Sequence, residues 1–236
     1  MQKSSIFSNF LFVPMLTCDD GTSDGKILPC KNSLNGRKRP GYNNRELMKF
    51  LDDSAKKSGE KDFMSIQKFF SDKGLKCRIY PFCSENNETE KEDYFTKKNR
   101  QAYFTGLAKE SLKSSLVLFD PDNGLEVGKN TEKHLLYSEL MSVFRQTGDD
   151  SAVMIYQHFP RENHEVYLER RLSKLGKLSG CSPVCISDGE IIFFYLAKNE
   201  KTRKEIKKII LDYSGLYKEK CFFKDFDEMP QKTPGY

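Results

Sequence analysis

Hydrophobic residues in the second half of the chain follow two alternating patterns. Continuous apolar runs at 115–120 (SLVLFD) and 151–157 (SAVMIYQ) predict strands that are buried on both faces of a sheet. Apolar residues recur at helical spacing around 136–144, 168–176 and 200–217. The segments 183–186 and 191–196 flank a Ser-Asp-Gly-Glu turn and predict an antiparallel hairpin. This order predicts an α/β fold with a mainly parallel sheet, helices on both faces and the hairpin at one edge.

The first half of the chain carries weaker signals of the same kind. They predict a strand at 10–16, helices at 45–57, 62–73 and 99–112, and a strand at 75–82. Two segments rich in Gly, Asn and charged residues, 21–42 and 84–98, are typical of loops. We predict a single domain over residues 1–236, with a first strand region at 1–20 and a C-terminal tail at 218–236.

Composition narrows the class of protein. Eighteen Phe and 11 Tyr in 236 residues are enough for a packed core. No run approaches the roughly 20 apolar residues of a membrane span, so we expect no membrane partner. The N-terminus has the outline of a signal peptide, but Asn9 and Pro14 interrupt its apolar run, which favours a strand. Seven cysteines without a CxxC pair favour reduced thiols in the cytoplasm.

Charge points only weakly to a partner. The formal net charge is +5, and basic clusters occur at 37–39, 97–100 and 170–171. Such clusters could steer a nucleic acid, but charged helix faces explain most of them equally well. His134 and His164 lie near predicted helix starts and are expected at the surface.

Polar segments follow three predicted strands, at 18–25, 120–126 and 157–161. Open α/β sheets bind ligands beyond the carboxyl ends of their strands. Asp120 ends a buried strand, Pro121 keeps it out of helical geometry, and a tight turn follows at 122–124. Asp120 is therefore either a site residue or the cap of a turn. His158 is either a general base or ligand-orienting group, or a structural histidine.

These motifs resemble a known family. A strand that ends in Asp120-Pro121, followed by helix, strand, helix, hairpin and helix, is similar to the second half of class I S-adenosylmethionine-dependent methyltransferases. In amino-methylating members this strand ends in Asp or Asn, Pro, Pro and an aromatic residue; here Asp122 and Asn123 occupy the last two positions. The segments DDGTSDGK, FDPDNGLEVG and YQHFPR more closely resemble uncharacterised bacterial methyltransferase-like proteins that are distantly akin to three-Cys-motif partner proteins.

The resemblance implies a single Rossmann-like methyltransferase-type domain that binds S-adenosylmethionine. It implies methyl transfer, with nucleic acid as the candidate acceptor. Asp120 would hold the acceptor or cofactor amine, and Asp122, Asn123 and His158 complete the candidate catalytic set. The candidate cofactor-binding residues lie in the loop after the first strand: Asp19, Asp20, Gly21, Asp24 and Gly25. We expect Asp120, Asp122 and His158 to share one pocket, with this loop as its other wall.

Two alternatives remain open from the sequence. The loop lacks a GxGxG pattern, and its aspartates could join Asp120, Asp122, Glu126 and His158 in binding Mg²⁺ or Mn²⁺. Such a site would make the protein a metal-dependent nuclease or phosphodiesterase. The second alternative is a catalytically inactive methyltransferase-like module that binds a partner protein.

Overall fold

The computed structural model describes residues 6–17, 44–58, 64–80, 95–217 and 221–229. The elements up to residue 112 are β1 (Asn9–Met15), α1 (Arg45–Ser58), α2 (Met64–Ser71), β2 (Lys76–Ile79), α3 (Arg100–Thr105) and a 3₁₀ turn (Lys109–Leu112). The elements that follow are β3 (Ser115–Pro121), α4 (Tyr137–Gln146), β4 (Ala152–His158), α5 (His164–Ser179), β5 (Val184–Ser187), β6 (Ile191–Ala197), α6 (Glu200–Leu216), β7 (Phe222–Asp225) and a 3₁₀ turn (Phe226–Glu228).

The seven strands of the described segments join one mixed sheet in the order β2-β1-β3-β4-β6-β5-β7. The pairs β2–β1, β1–β3 and β3–β4 are parallel, whereas β6 runs antiparallel between β4 and β5. The predicted α/β class is confirmed. The two runs 115–120 and 151–157 lie in neighbouring parallel strands, with Phe119 opposite Ile155.

The strand order reverses around β1. The chain places β2 on one side of β1 and then returns to place β3 on the other side. In an open α/β sheet, such a reversal leaves a crevice at the carboxyl ends of the two diverging strands. We therefore expect the crevice of this sheet beyond the ends of β1 at Met15 and β3 at Pro121.

Two apolar layers cover the sheet. On one face, α4 and α5 pack Leu140 and Leu172 against Phe119 and Ile155 in the larger core. On the other face, α6 packs Ile206 and Ile210 over the β5–β6 side. At the opposite end of the sheet, α2 packs against β2 and brings Phe70 within 5.0 Å of Phe10, measured between ring centroids. Among the described residues, no helix is long and apolar enough to cross a membrane.

The predicted hairpin is present as the antiparallel pair β5–β6 on the antiparallel side of the sheet, but it is not the outermost part of that side. The segment predicted as a C-terminal tail contains β7, which pairs antiparallel with β5 and forms the edge instead. Asp225 of β7 is buried and forms ion pairs with Arg203 and Lys207 of α6. Asp225 is the only buried residue of the four in β7, so the segment lacks the buried apolar alternation that predicts a strand.

Two further local predictions need correction. The helix predicted over 99–112 ends at Thr105, with Gly106 as its C-cap, where an added Cβ would stand 2.6 Å from the hydroxyl of Tyr80. His134 was expected at the surface but is buried, and its Nδ1 accepts a hydrogen bond from the backbone N–H of Thr131 at 3.2 Å. His164 is exposed at the start of α5, as predicted.

Candidate functional site

Asp120 lies at the carboxyl end of β3, opposite Pro14 of β1. Its side chain is half-buried on the face of the sheet that α6 covers, since Phe119 before it points to the other face. Within the part of the chain that the structure describes, no hydrogen bond to its carboxylate is found. Burial, and next the charge of Asp122, raises the pKa of Asp120 to about 6. Asp120 is therefore a partly buried carboxyl group with a raised pKa and no hydrogen bond from the described residues.

Asp122 links the tips of β1 and β3. Its carboxylate accepts a hydrogen bond from the hydroxyl of Thr17, two residues beyond the end of β1. The ammonium of Lys133 lies 3.9 Å from the same carboxylate oxygen. Asp122 is exposed, so these contacts place a solvent-accessible carboxylate between the tips of β1 and β3.

The turn after β3 fixes the position of Asn123. Its backbone N–H donates to the carbonyl of Lys133 at 2.9 Å, and its side chain is exposed. Gly124 follows with a φ of +79°, a conformation that favours glycine. The Asp-Asn-Gly segment is thus a real turn, which agrees with the second interpretation of Asp120. The same turn brings Asp122 to the end of β1, so Asp120 can both precede a turn and belong to a site.

His158 ends β4, the strand next to β3. It is exposed, and its Nε2 lies 2.9 Å from the hydroxyl of Tyr156. Tyr156 in turn contacts the ring of Phe193, with centroids 5.5 Å apart. Phe119 of β3 lies opposite Ile155 of β4, and Asp120 and Tyr156 are the next residues of these two strands. The side chains of Asp120 and Tyr156 therefore face the same side of the sheet. The structure therefore places His158 one strand away from Asp120, at the same edge.

Glu126 does not belong to this group. Its carboxylate accepts the backbone N–H of Tyr137 at 2.7 Å, at the N-terminus of α4, and lies 3.7 Å from the ammonium of Lys174. A carboxylate there stabilises the positive end of the helix dipole. Among the described residues, no three His, Cys, Asp or Glu side chains come together as a metal-binding group.

The loop residues proposed to bind the cofactor lie outside the described residues. These are Asp19, Asp20, Gly21, Asp24 and Gly25. Their role in binding the cofactor therefore stays a prediction. The expectation that this loop forms one wall of the pocket stays a prediction as well. The site as described consists of the tips of β1, β3 and β4.

Thr17 and Lys133 at this edge were not predicted, and Gln157 was predicted only as part of the polar segment 157–161, without a role. The Thr17–Asp122 bond joins residues 105 positions apart, which no local pattern can reveal. Gln157 is buried and reaches the turn after β3 from β4. Its position at the end of a buried strand was a usable signal, because a buried amide requires hydrogen-bond partners.

Comparisons with known proteins add no assignment. No family model matches the chain, and a search of curated proteins finds no significant match.

Proposed function

We propose that this protein is a Rossmann-like, S-adenosylmethionine-dependent methyltransferase that binds its cofactor between the tips of β1 and β3. The observation that carries the proposal is the reversal of strand order at β1, with the half-buried carboxyl group of Asp120 at the end of β3 beside it. Ligands of open α/β sheets bind at such reversals. The Asp-Pro ending of β3, on which the family resemblance rests, lies at this same place.

The side chains at the crevice suit the chemistry of the cofactor. S-adenosylmethionine carries an ammonium group, a positively charged sulfur and ribose hydroxyls. Two carboxyl groups and one hydroxyl, from Asp120, Asp122 and Thr17, stand at the strand tips. A cationic group next to Asp120 would favour its ionised form and offset the cost of burying the charge. Asp120 is therefore the first candidate to hold an amine.

When bound, the cofactor supplies a methyl group activated by its positively charged sulfur. Asp120 would accept a hydrogen bond from the amine of the cofactor or of the acceptor. His158, exposed at the neighbouring strand tip, would accept the proton that the acceptor loses. The hydrogen bond between Tyr156 and His158 would orient the imidazole for this role.

Nucleic acid is the acceptor class we propose. Lys97, Lys129 and Lys133 belong to the segments around the turn after β3, and Lys97 and Lys129 are exposed. Their charges add to a chain of net charge +5. Cationic side chains near the crevice would attract a phosphate backbone, and this contribution would weaken with salt.

Calorimetric titration with S-adenosylmethionine and with S-adenosylhomocysteine tests the proposal. We expect binding by the native protein and at least a tenfold loss of affinity in Asp120→Asn. Asp149→Asn is the matched control, because Asp149 is exposed in the turn before β4, at the other end of the sheet. Absence of binding to both compounds by the full-length protein would overturn the proposal. Equal affinity of Asp120→Asn and the native protein would remove Asp120 from the site.

Transfer of a radiolabelled methyl group to RNA or DNA then tests the reaction itself. We expect incorporation by the native protein and its loss in His158→Ala, with cofactor affinity retained. Binding of the cofactor without any transfer to RNA or DNA would contradict the proposed acceptor class.

A further inference from the structure

Gln157 connects the tip of β4 to the turn that follows β3. Its Oε1 accepts the backbone N–H of Leu125 at 2.7 Å, and its Nε2 donates to the carbonyl of His158 at 2.8 Å. The side chain is only 4% exposed, and the bond to Leu125 is buried while the bond to His158 is partly buried. A buried amide that satisfies two backbone groups holds them more firmly than an exposed one, because losing either bond leaves an unpaired buried group.

The turn is built closely around this carboxamide. A Cβ added to Gly124 would stand 2.2–2.4 Å from the Nε2, Oε1 and Cδ atoms of Gln157. The φ of Gly124 is +79°, so a larger residue would also be strained in its backbone. Gly124 and Gln157 therefore fit each other, and the position of one determines the position of the other.

The turn transmits this position to the candidate site. Its backbone closes with a hydrogen bond of 3.3 Å from the N–H of Gly124 to the carbonyl of Pro121. Asp122 lies inside the turn, and its carboxylate reaches Thr17 at the tip of β1. A continuous series of contacts thus runs from β4 through Gln157 and the turn to β1.

We propose that Gln157 is the positioning residue of the candidate site. Its carboxamide fixes the turn 121–124, keeps Asp122 beside Asp120 and Thr17, and joins this group to the tip of β4 that carries His158. Gln157 is buried on the face opposite to Asp120, so it acts through the turn rather than on a ligand. The inference extends the proposed function, but its first test requires no ligand.

That test measures the pKa of the Asp120 carboxyl group by carbon-13 NMR, with the resonance assigned from Asp120→Asn. Gln157→Met keeps the length of the side chain and removes both hydrogen bonds. Release of the turn would admit water to Asp120 and free Asp122 to move away. We therefore expect the pKa of Asp120 to fall by about one pH unit or more in this variant, a tenfold change in acid dissociation.

Leu196→Ala is the matched control for loss of stability alone. Leu196 is fully buried in the same core and pairs with Val153, near the amino end of β4. We expect it to lower the melting temperature and to leave the pKa of Asp120 unchanged. An unchanged pKa in folded Gln157→Met, or an equal fall in Leu196→Ala, would overturn the proposal. An ordinary carboxyl pKa of Asp120 in the native protein would do the same.

If Gln157→Met does not fold, Gly124→Ala is the alternative variant for this test. The added methyl group would displace the carboxamide of Gln157 without removing it. The same fall in the pKa of Asp120 is expected, and its absence counts against the proposal. Titration with S-adenosylhomocysteine separates this inference from the proposed function. If the native protein does not bind the compound while the pKa falls in Gln157→Met, the proposed cofactor is wrong and the positioning role remains.

Discussion

Replacement of Asp120 by asparagine should stabilise the folded protein at neutral pH. Burial, together with the charge of Asp122, raises the pKa of Asp120 from 3.8 to about 6. The folded protein therefore holds the proton of this group more tightly than the unfolded chain does. Ionisation of Asp120 thus costs folding free energy, and asparagine keeps the shape of the side chain without the charge.

The size of the effect follows from the two pKa values. A tenfold change in acid dissociation corresponds to about 1.4 kcal/mol, so the rise from 3.8 to about 6 corresponds to about 3 kcal/mol. Since Asp120 is partly exposed, solvent screening reduces this value, and we expect about 1–3 kcal/mol. Below the unfolded pKa both states are protonated and the penalty is absent. It grows as the pH rises and is complete above the folded pKa.

Urea denaturation of the native protein and of Asp120→Asn, from about pH 4.5 to about pH 8, measures the effect. We expect the stability advantage of the variant to grow as the pH rises to about the folded pKa of Asp120, about 6, and to level off above it. Asp149→Asn should show a difference that is independent of pH near neutrality. A loss of stability in Asp120→Asn at every pH would show that Asp120 only caps the turn, and would refute a destabilising charge at this position.

Three further changes test other parts of the structure. Asp225→Asn should destabilise the protein by about 3 kcal/mol near neutral pH, because it leaves the cations of α6 without their buried partner. Burial alone would raise the pKa of Asp225, but its hydrogen bonds and the nearby cations outweigh burial and lower this pKa. In urea denaturation, the loss of stability in Asp225→Asn should therefore shrink as the pH falls below the ordinary pKa of 3.8. Burial raises the pKa of Cys77 to about 11 and of Cys185 to about 12, so peptide mapping after iodoacetamide treatment should find both unmodified in the folded protein and modified in denaturant. Gly124→Ala should lower the free energy of unfolding by about 1–3 kcal/mol, whereas Gly128→Ala, with no atom within 4 Å of its added Cβ, should change it little in the same denaturation assay.

Local periodicity accounts for most of the elements that the sequence predicted. The runs 115–120 and 151–157 form β3 and β4 as predicted, but they are not buried on both faces: the residues that face the larger core are buried, and those that alternate with them are mostly only partly buried. Their adjacency follows from the short helical connection between them. The helix over 200–217 shows its buried stripe in Ile206 and Ile210. Asp120, Asp122 and His158 reached neighbouring strand tips for the same reason, since parallel strands end at one edge.

What the sequence by itself determined is therefore the α/β class, the parallel centre of the sheet and the edge at which its polar residues gather. The tertiary structure decided which of those residues meet. Thr17 bonds to Asp122, and Gln157 bonds to Leu125. Glu126 binds the start of α4 instead of joining the candidate site, and Asp225 ties the edge strand to α6. Hydrophobic residues recur at every turn of a helix and at every second residue of a strand, so the pattern is visible in a single sequence. A hydrogen bond between residues 32 or 105 positions apart leaves no such repeat, and only the folded chain reveals it.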